Sequence, residues 1–120
     1  MTVEDFGPGG RLMPHERARR HGVYARLLPR LQLIGWQLGY TLAVHGSLSR
    51  DLDIVAAPWI EAAAPAEHLV QALADEMGEG AWYRQPSSKP HGRRAWSIHF
   101  GTFRNAHLYI DLSVMPRAPC

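Results

Sequence analysis

From Tyr24 onward the apolar residues Leu27, Leu28, Leu31, Ile34 and Leu38 fall three and four positions apart. That spacing sets one stripe along a helix, and Gly39 supplies its stop. Pro29 interrupts the stripe, because a proline inside a helix removes a backbone hydrogen bond at a cost of about 3 kcal/mol. Two outcomes stay open: the helix starts near Leu28 with Pro29 in its first turn, or it kinks at Pro29. The period then changes. YTLAVH, bounded by Gly39 and Gly46, alternates, and so does DLDIVAAP over residues 51–58. Both read as strands, and the few residues between them leave space only for a tight turn, so the pair should run antiparallel.

Helical spacing returns in PAEHLVQALADEMG, with Pro65 in the first turn, Leu69, Val70, Leu73 and Met77 on one face, and Gly78 as the stop. AWYR predicts a short strand and QPSSKPHG a loop. RAWSIHF and HLYIDLSVM alternate as two further strands around GTFRNA, and Pro116 ends the last. The order helix, strand, strand, helix, short strand, strand, strand predicts an α+β fold: a mixed or antiparallel sheet with two main helices packed on one face.

A length of 120 residues suits one domain with one core. The reading is a single domain over residues 23–117, a flexible basic arm over 1–22 that is rich in Gly and Pro near its start, and a short tail over 118–120. A hydrophobic share of 46% and a charged share of 20% are those of a soluble globular protein, and no run approaches the roughly 18 apolar residues of a membrane span. The start, MTVEDFGPGG, has no basic stretch followed by an apolar core, so the expectation is a cytoplasmic protein with no membrane partner. The single cysteine, Cys120, excludes an internal disulfide and any multi-cysteine zinc site.

Charge changes the picture by its distribution. Arginine dominates the first 50 residues, residues 51–83 carry acids but no Lys or Arg, and residues 84–104 carry Arg84, Lys89, Arg93, Arg94 and Arg104 with no acid. Such blocks suit solvated faces, and they also suit a site that holds cations beside a polyanion. HERARRH, residues 15–21, reads as a solvated helix turn or as a patch that touches phosphates.

The acidic block opens with Asp51 and Asp53. In a strand, residues two apart share a face, so the two carboxylates stand side by side while Leu52 and Ile54 enter the other face. Like charges so placed are tolerated at a solvated strand end, where screening is strong, or around a divalent cation. Mg²⁺ takes oxygen ligands, commonly one or two carboxylates completed by waters and substrate phosphates. A third acid, Asp111, stands among Tyr109, Ile110, Leu112 and Val114, where a buried carboxylate needs a partner or a metal; an edge strand's wet face or a nearby arginine would also satisfy it. Three carboxylates from adjacent strands can hold two metals about 3.5 to 4 Å apart, the arrangement that clamps attacking and leaving oxygens in phosphoryl transfer.

A hydrophobic strand, Gly46-Ser47, paired aspartates with apolar neighbours and a third aspartate on a later strand resemble the nucleotidyltransferase superfamily of DNA polymerase beta-like fold, in its minimal single-domain form. The resemblance implies that Gly46 and Ser47 contact nucleotide phosphates, that Asp51 and Asp53 bind Mg²⁺ or Mn²⁺, and that Asp111 completes the metal site and helps deprotonate an acceptor hydroxyl. The family places a longer loop between Gly-Ser and the first acid. Here only Leu48, Ser49 and Arg50 intervene, and Arg50 could supply the phosphate-binding charge or pair with Asp51 or Asp53. Over most of residues 24 to 116, through HGS…RDLD, KPHGR…WS and YIDLSVMP, the chain also resembles small bacteriophage-encoded proteins, a likeness that implies no activity of its own.

KPHGRR concentrates donors before a strand: Lys89 as a point charge, Arg93 and Arg94 as forks suited to phosphate, or a mobile solvated loop. The histidines form no ligand motif, and His45, beside Gly46, is the one nearest the proposed metals. The four tryptophans suit the core or its edges, with Trp59 or Trp96 placed to stack on a base. The expected function is metal-dependent transfer of a nucleoside monophosphate from a nucleoside triphosphate to a hydroxyl acceptor. The alternative is a non-catalytic module of the same fold, a phage factor engaging a host protein or nucleic acid.

Overall fold

Alternation and helical spacing sort the chain into two layers, a sheet and a pair of helices covering one of its faces. The structure is a computed structural model, and it describes residues 14–46, 48, 51–103 and 106–117. Its elements are α1 (Pro14–Gln37), β1 (Tyr40–His45), β2 (Leu52–Pro58), α2 (Ala66–Met77), β3 (Ser87–Ser88), a single 3₁₀ turn (Pro90–Gly92), β4 (Arg94–Phe103) and β5 (Ala106–Val114). The strands form one sheet in the order β1-β2-β5-β4-β3. Only β2 and β5 run parallel, with antiparallel pairing elsewhere, so the sheet is mixed and the class is α+β.

Three local expectations need adjustment. The arm expected over residues 1–22 is helical from Pro14 on, while residues 1–13 lie outside the described ones. The helix does not begin at Leu28: it runs from Pro14 to Gln37 with Pro29 inside it. Pro29 and Ala25 are both exposed, so the Ala25 carbonyl that loses its N–H partner faces water, which lowers the cost of the interruption. AWYR contributes an isolated bridge between Trp82 and His99 rather than a strand, and the short third strand falls at Ser87–Ser88, inside the expected loop.

Period-2 alternation decides which face is which. Leu42 of β1, Leu52, Ile54 and Ala56 of β2, Trp96 and Ile98 of β4, and Ile110, Leu112 and Val114 of β5 are all buried. They pack against Tyr24 and Leu31 of α1 and Leu69, Val70 and Leu73 of α2 in one core. The two helices are joined at the surface by the Arg30–Glu76 ion pair. Gly39 makes the turn into the sheet at φ +91°, and a Cβ there would stand 2.7 Å from the Ala63 backbone, so the position accepts no side chain. The intervening residues, Asp53, Ser97 and Asp111 among them, point to the sheet's opposite face, which neither helix covers.

Candidate functional site

The open face carries the three aspartates. In the parallel β2/β5 pairing Asp53 stands opposite Asp111, and in the β1/β2 hairpin it stands opposite His45. Asp51 immediately precedes β2. One carboxylate oxygen from each of Asp51, Asp53 and Asp111 lies within 4.8 Å of those from the other two. Neighbouring ligands of an octahedral Mg²⁺ stand about 3 Å apart and opposite ones about 4.2 Å, so the carboxylates would draw inward to share one cation. The donors are all carboxylate oxygens, a hard set that matches Mg²⁺, Mn²⁺ or Ca²⁺ and not a thiolate-seeking metal. The cluster could therefore hold a metal ion.

Electrostatics mark the same point. The Asp53 carboxyl is pushed up to about 6, first by its burial, then by hydrogen bonding to and the negative charge of Asp51, and by the charge of Asp111. Asp51 and Asp53 are half-buried and Asp111 is exposed. Asp111 is not on an edge, since β5 lies between β2 and β4; its carboxylate escapes burial by facing away from the helices.

A cavity of about 510 Å³ covers this face, lined by His45, Asp53, Lys89, Arg93, Asp111 and Ser113 among others. The two cations arrive on a loop closed by a hydrogen bond from the Lys89 backbone N–H to the Arg93 carbonyl, 2.9 Å, and turned by His91 and Gly92 in left-handed conformations. Among the described residues the ion pairs engage Arg30 and Arg94, not Lys89 or Arg93. Gly46 lies directly against the Asp53 carboxylate: at φ +90°, a Cβ on it would stand 3.1 Å from Asp53 Oδ2.

Of the residues singled out from sequence, the structure brings together Asp51, Asp53, Asp111, Gly46, Lys89 and Arg93, with His45 beside them. Ser47 and Arg50 lie outside the described residues. Arg94 goes elsewhere. It shares the core-side face of β4 with Trp96, its guanidinium lies 5.1 Å from that ring's centroid, and it pairs with Glu67, whose carboxyl it holds below the usual range. It lines a separate cavity of about 440 Å³, where Arg117 also donates to the Ala63 carbonyl at 3.1 Å. Neither tryptophan considered for stacking reaches the carboxylates: Trp96 is buried in the core, and Trp59 stacks on Trp36 at the far end of β2.

Three residues were not singled out for this site. Ser113, two positions after Asp111 and thus on its face, has a buried Oγ with no hydrogen-bond partner among the described residues; the alternation of IDLSV already placed it there. Arg20, inside the segment read as a solvated turn or phosphate patch, is only 4% exposed and donates to the Tyr24 hydroxyl, which itself feels the charge of Asp51. No spacing signal distinguishes Arg20 from the arginines around it. Trp82 lies on the open face, stacked on His99. No protein-family model matches the chain, and no curated protein matches it in sequence.

Proposed function

We propose that the protein is a metal-dependent nucleotidyltransferase with a polymerase beta-like arrangement, transferring a nucleoside monophosphate from a nucleoside triphosphate to a hydroxyl acceptor. The observation that carries this reading is the convergence of Asp51, Asp53 and Asp111 on one open face beneath Lys89 and Arg93. Carboxylates alone would repel a polyphosphate. Carboxylates beside two cations on a hydrogen-bonded loop suit a cation-bound polyphosphate, because each half of the site neutralises what the other half leaves charged.

A divalent cation bound by the three aspartates would neutralise charge on the phosphates in the transition state. The chain's own groups do the rest. Lys89 and Arg93 donate to phosphate oxygens and hold the α-phosphorus in line with the incoming hydroxyl. The acceptor oxygen forms the new P–O bond as the bond to pyrophosphate breaks, and its proton passes to the exposed Asp111 carboxylate, which is the aspartate open to an arriving acceptor. Ser113 Oγ, buried and without a hydrogen-bond partner among the described residues, is available to a phosphate or sugar oxygen.

The test follows pyrophosphate release and movement of label from each α-labelled nucleoside triphosphate, with Mg²⁺ or Mn²⁺, in wild type and Asp53→Asn. Metal-dependent release lost in the variant supports the enzyme. Nucleotide binding without release in any acceptor mixture indicates a binding module of the same fold, and absence of both metal and nucleotide binding overturns the proposal.

A further inference from the structure

The open face holds a second cavity, about 550 Å³, that the carboxylate site does not use. It adjoins the first through Lys89, Ala95 and Asp111, which line both. Its distinctive feature is aromatic. Trp82 and His99 exchange both backbone hydrogen bonds at 2.9 Å, which fixes their side chains on one face, and their rings stack at 4.2 Å and 12°. His99 in turn lies 5.5 Å from the Tyr109 ring, so a run of three aromatic rings crosses the sheet beside the aspartates. The end of that run stays open: Trp82 is 43% exposed in a cavity otherwise lined mainly by polar groups.

An indole stacked on His99 and still 43% exposed is a platform for a planar ring, with Arg84 the side chain that would shift to admit it. The surroundings narrow the ring's identity. Gln85, Ser87 and Ser97 offer both donors and acceptors at the cavity wall, as the edge of a nucleobase requires. Arg84, whose guanidinium lies 5.6 Å from the Trp82 ring centroid, and Lys89 add positive charge for an attached phosphate. A ligand lying here would reach Asp111, and through it the metal site, by way of its sugar and phosphate.

We propose that this second cavity binds a nucleobase, stacked on Trp82, of a nucleotide whose phosphate reaches the aspartate site. The assignment rests on the nucleotidyl-transfer reading for its placement, but the stacking platform can be tested separately. The base belongs either to the donor triphosphate or to the end of an acceptor strand, and both present the same chemistry to Trp82.

Calorimetric titration of the full chain in Mg²⁺ with three probes separates the cases: a non-hydrolysable nucleoside triphosphate, tripolyphosphate, and a single-stranded tetranucleotide. Trp82→Ala should weaken a base-bearing probe about tenfold, the scale of one lost base–aromatic stack, and leave tripolyphosphate unchanged. Trp82→Phe should restore most of that affinity and exclude misfolding as the cause. Whichever base-bearing probe responds identifies the source of the base. Asp53→Asn should weaken tripolyphosphate instead. If the wild type binds a base-bearing probe through Trp82 but never binds tripolyphosphate, the base site stands and the transfer reading falls. If Trp82→Ala leaves both base-bearing probes unchanged, or weakens tripolyphosphate equally, or if neither base-bearing probe binds the wild type, the nucleobase site is overturned.

Discussion

Asp53 sits between two other carboxylates, and burial together with their charge raises its pKa. Its folded-state value of about 6 lies above the ordinary 3.8, so the carboxyl is protonated in both folded and unfolded chains below about pH 4, where its contribution to stability is fully present. As pH rises through 6 the folded protein must hold a charge it disfavours, and that contribution is lost. Asp53→Asn imitates the protonated form. In chelator, urea denaturation should show variant and wild type nearly equal at pH 4 and the variant more stable at pH 7 by about 1–2 kcal/mol, less than the full shift because the carboxyl keeps part of its hydration. Adding Mg²⁺ should raise the wild-type midpoint far more than the variant's. Gly46 supplies a second residue-scale prediction. An alanine there meets both a left-handed φ and the Asp53 carboxylate, so Gly46→Ala should lose about 1 kcal/mol of stability and bind Mg²⁺ more weakly by calorimetry.

Strand β5 shows how one element serves two masters. Leu112 is fully buried beneath the helices, while Ser113, its neighbour, faces the cavity with a hydroxyl that has no hydrogen-bond partner among the described residues. Leu112→Ala should cost about 2–5 kcal/mol by leaving a hole in the core. Ser113→Ala removes a buried group that lacks a hydrogen bond and should be neutral or slightly stabilising, as measured by thermal melts of the two variants side by side. Elements of this kind were legible in sequence because their signals are local. The β1/β2 hairpin, α2 between Pro65 and Gly78, and the alternation of β4 and β5 follow from spacing over a few residues. The start of α1 did not, since Pro14 to Val23 carries no apolar period, and continuation through Pro29 depends on which side of the helix meets water. Side-chain placement was legible only where alternation applied to a strand already located. Asp53 and Asp111 gave such a signal; Arg93 and Arg94, adjacent in sequence, diverge because β4 begins between them. The meeting of Asp53 with Asp111 depends on β2 pairing with β5 in parallel, a contact between distant segments that no local pattern encodes.

At the scale of the whole molecule the core and the proposed site occupy opposite faces of one sheet, so the two should be separable. A triple variant, Asp51→Asn with Asp53→Asn and Asp111→Asn, should fold in chelator with a melting temperature no lower than the wild type's. It should also lack any Mg²⁺-dependent increase, where the wild type is expected to gain about 2.7 kcal/mol at a hundred times the dissociation constant. None of the described helices is long and apolar enough to cross a membrane.

The alignment of Asp53 with Asp111 is held by rungs of the ladder between two neighbouring strands, with Leu52 facing Ile110 and Ile54 facing Leu112 on either side. Connecting segments therefore carry no share in setting the distance between those two acids. Residues can be added or removed between β2 and α2 without moving either one. A single residue gained inside β5 ahead of Asp111 would instead turn that carboxylate inward, toward the helices. Diversification of a scaffold built this way is free in its connections and closed in its rungs.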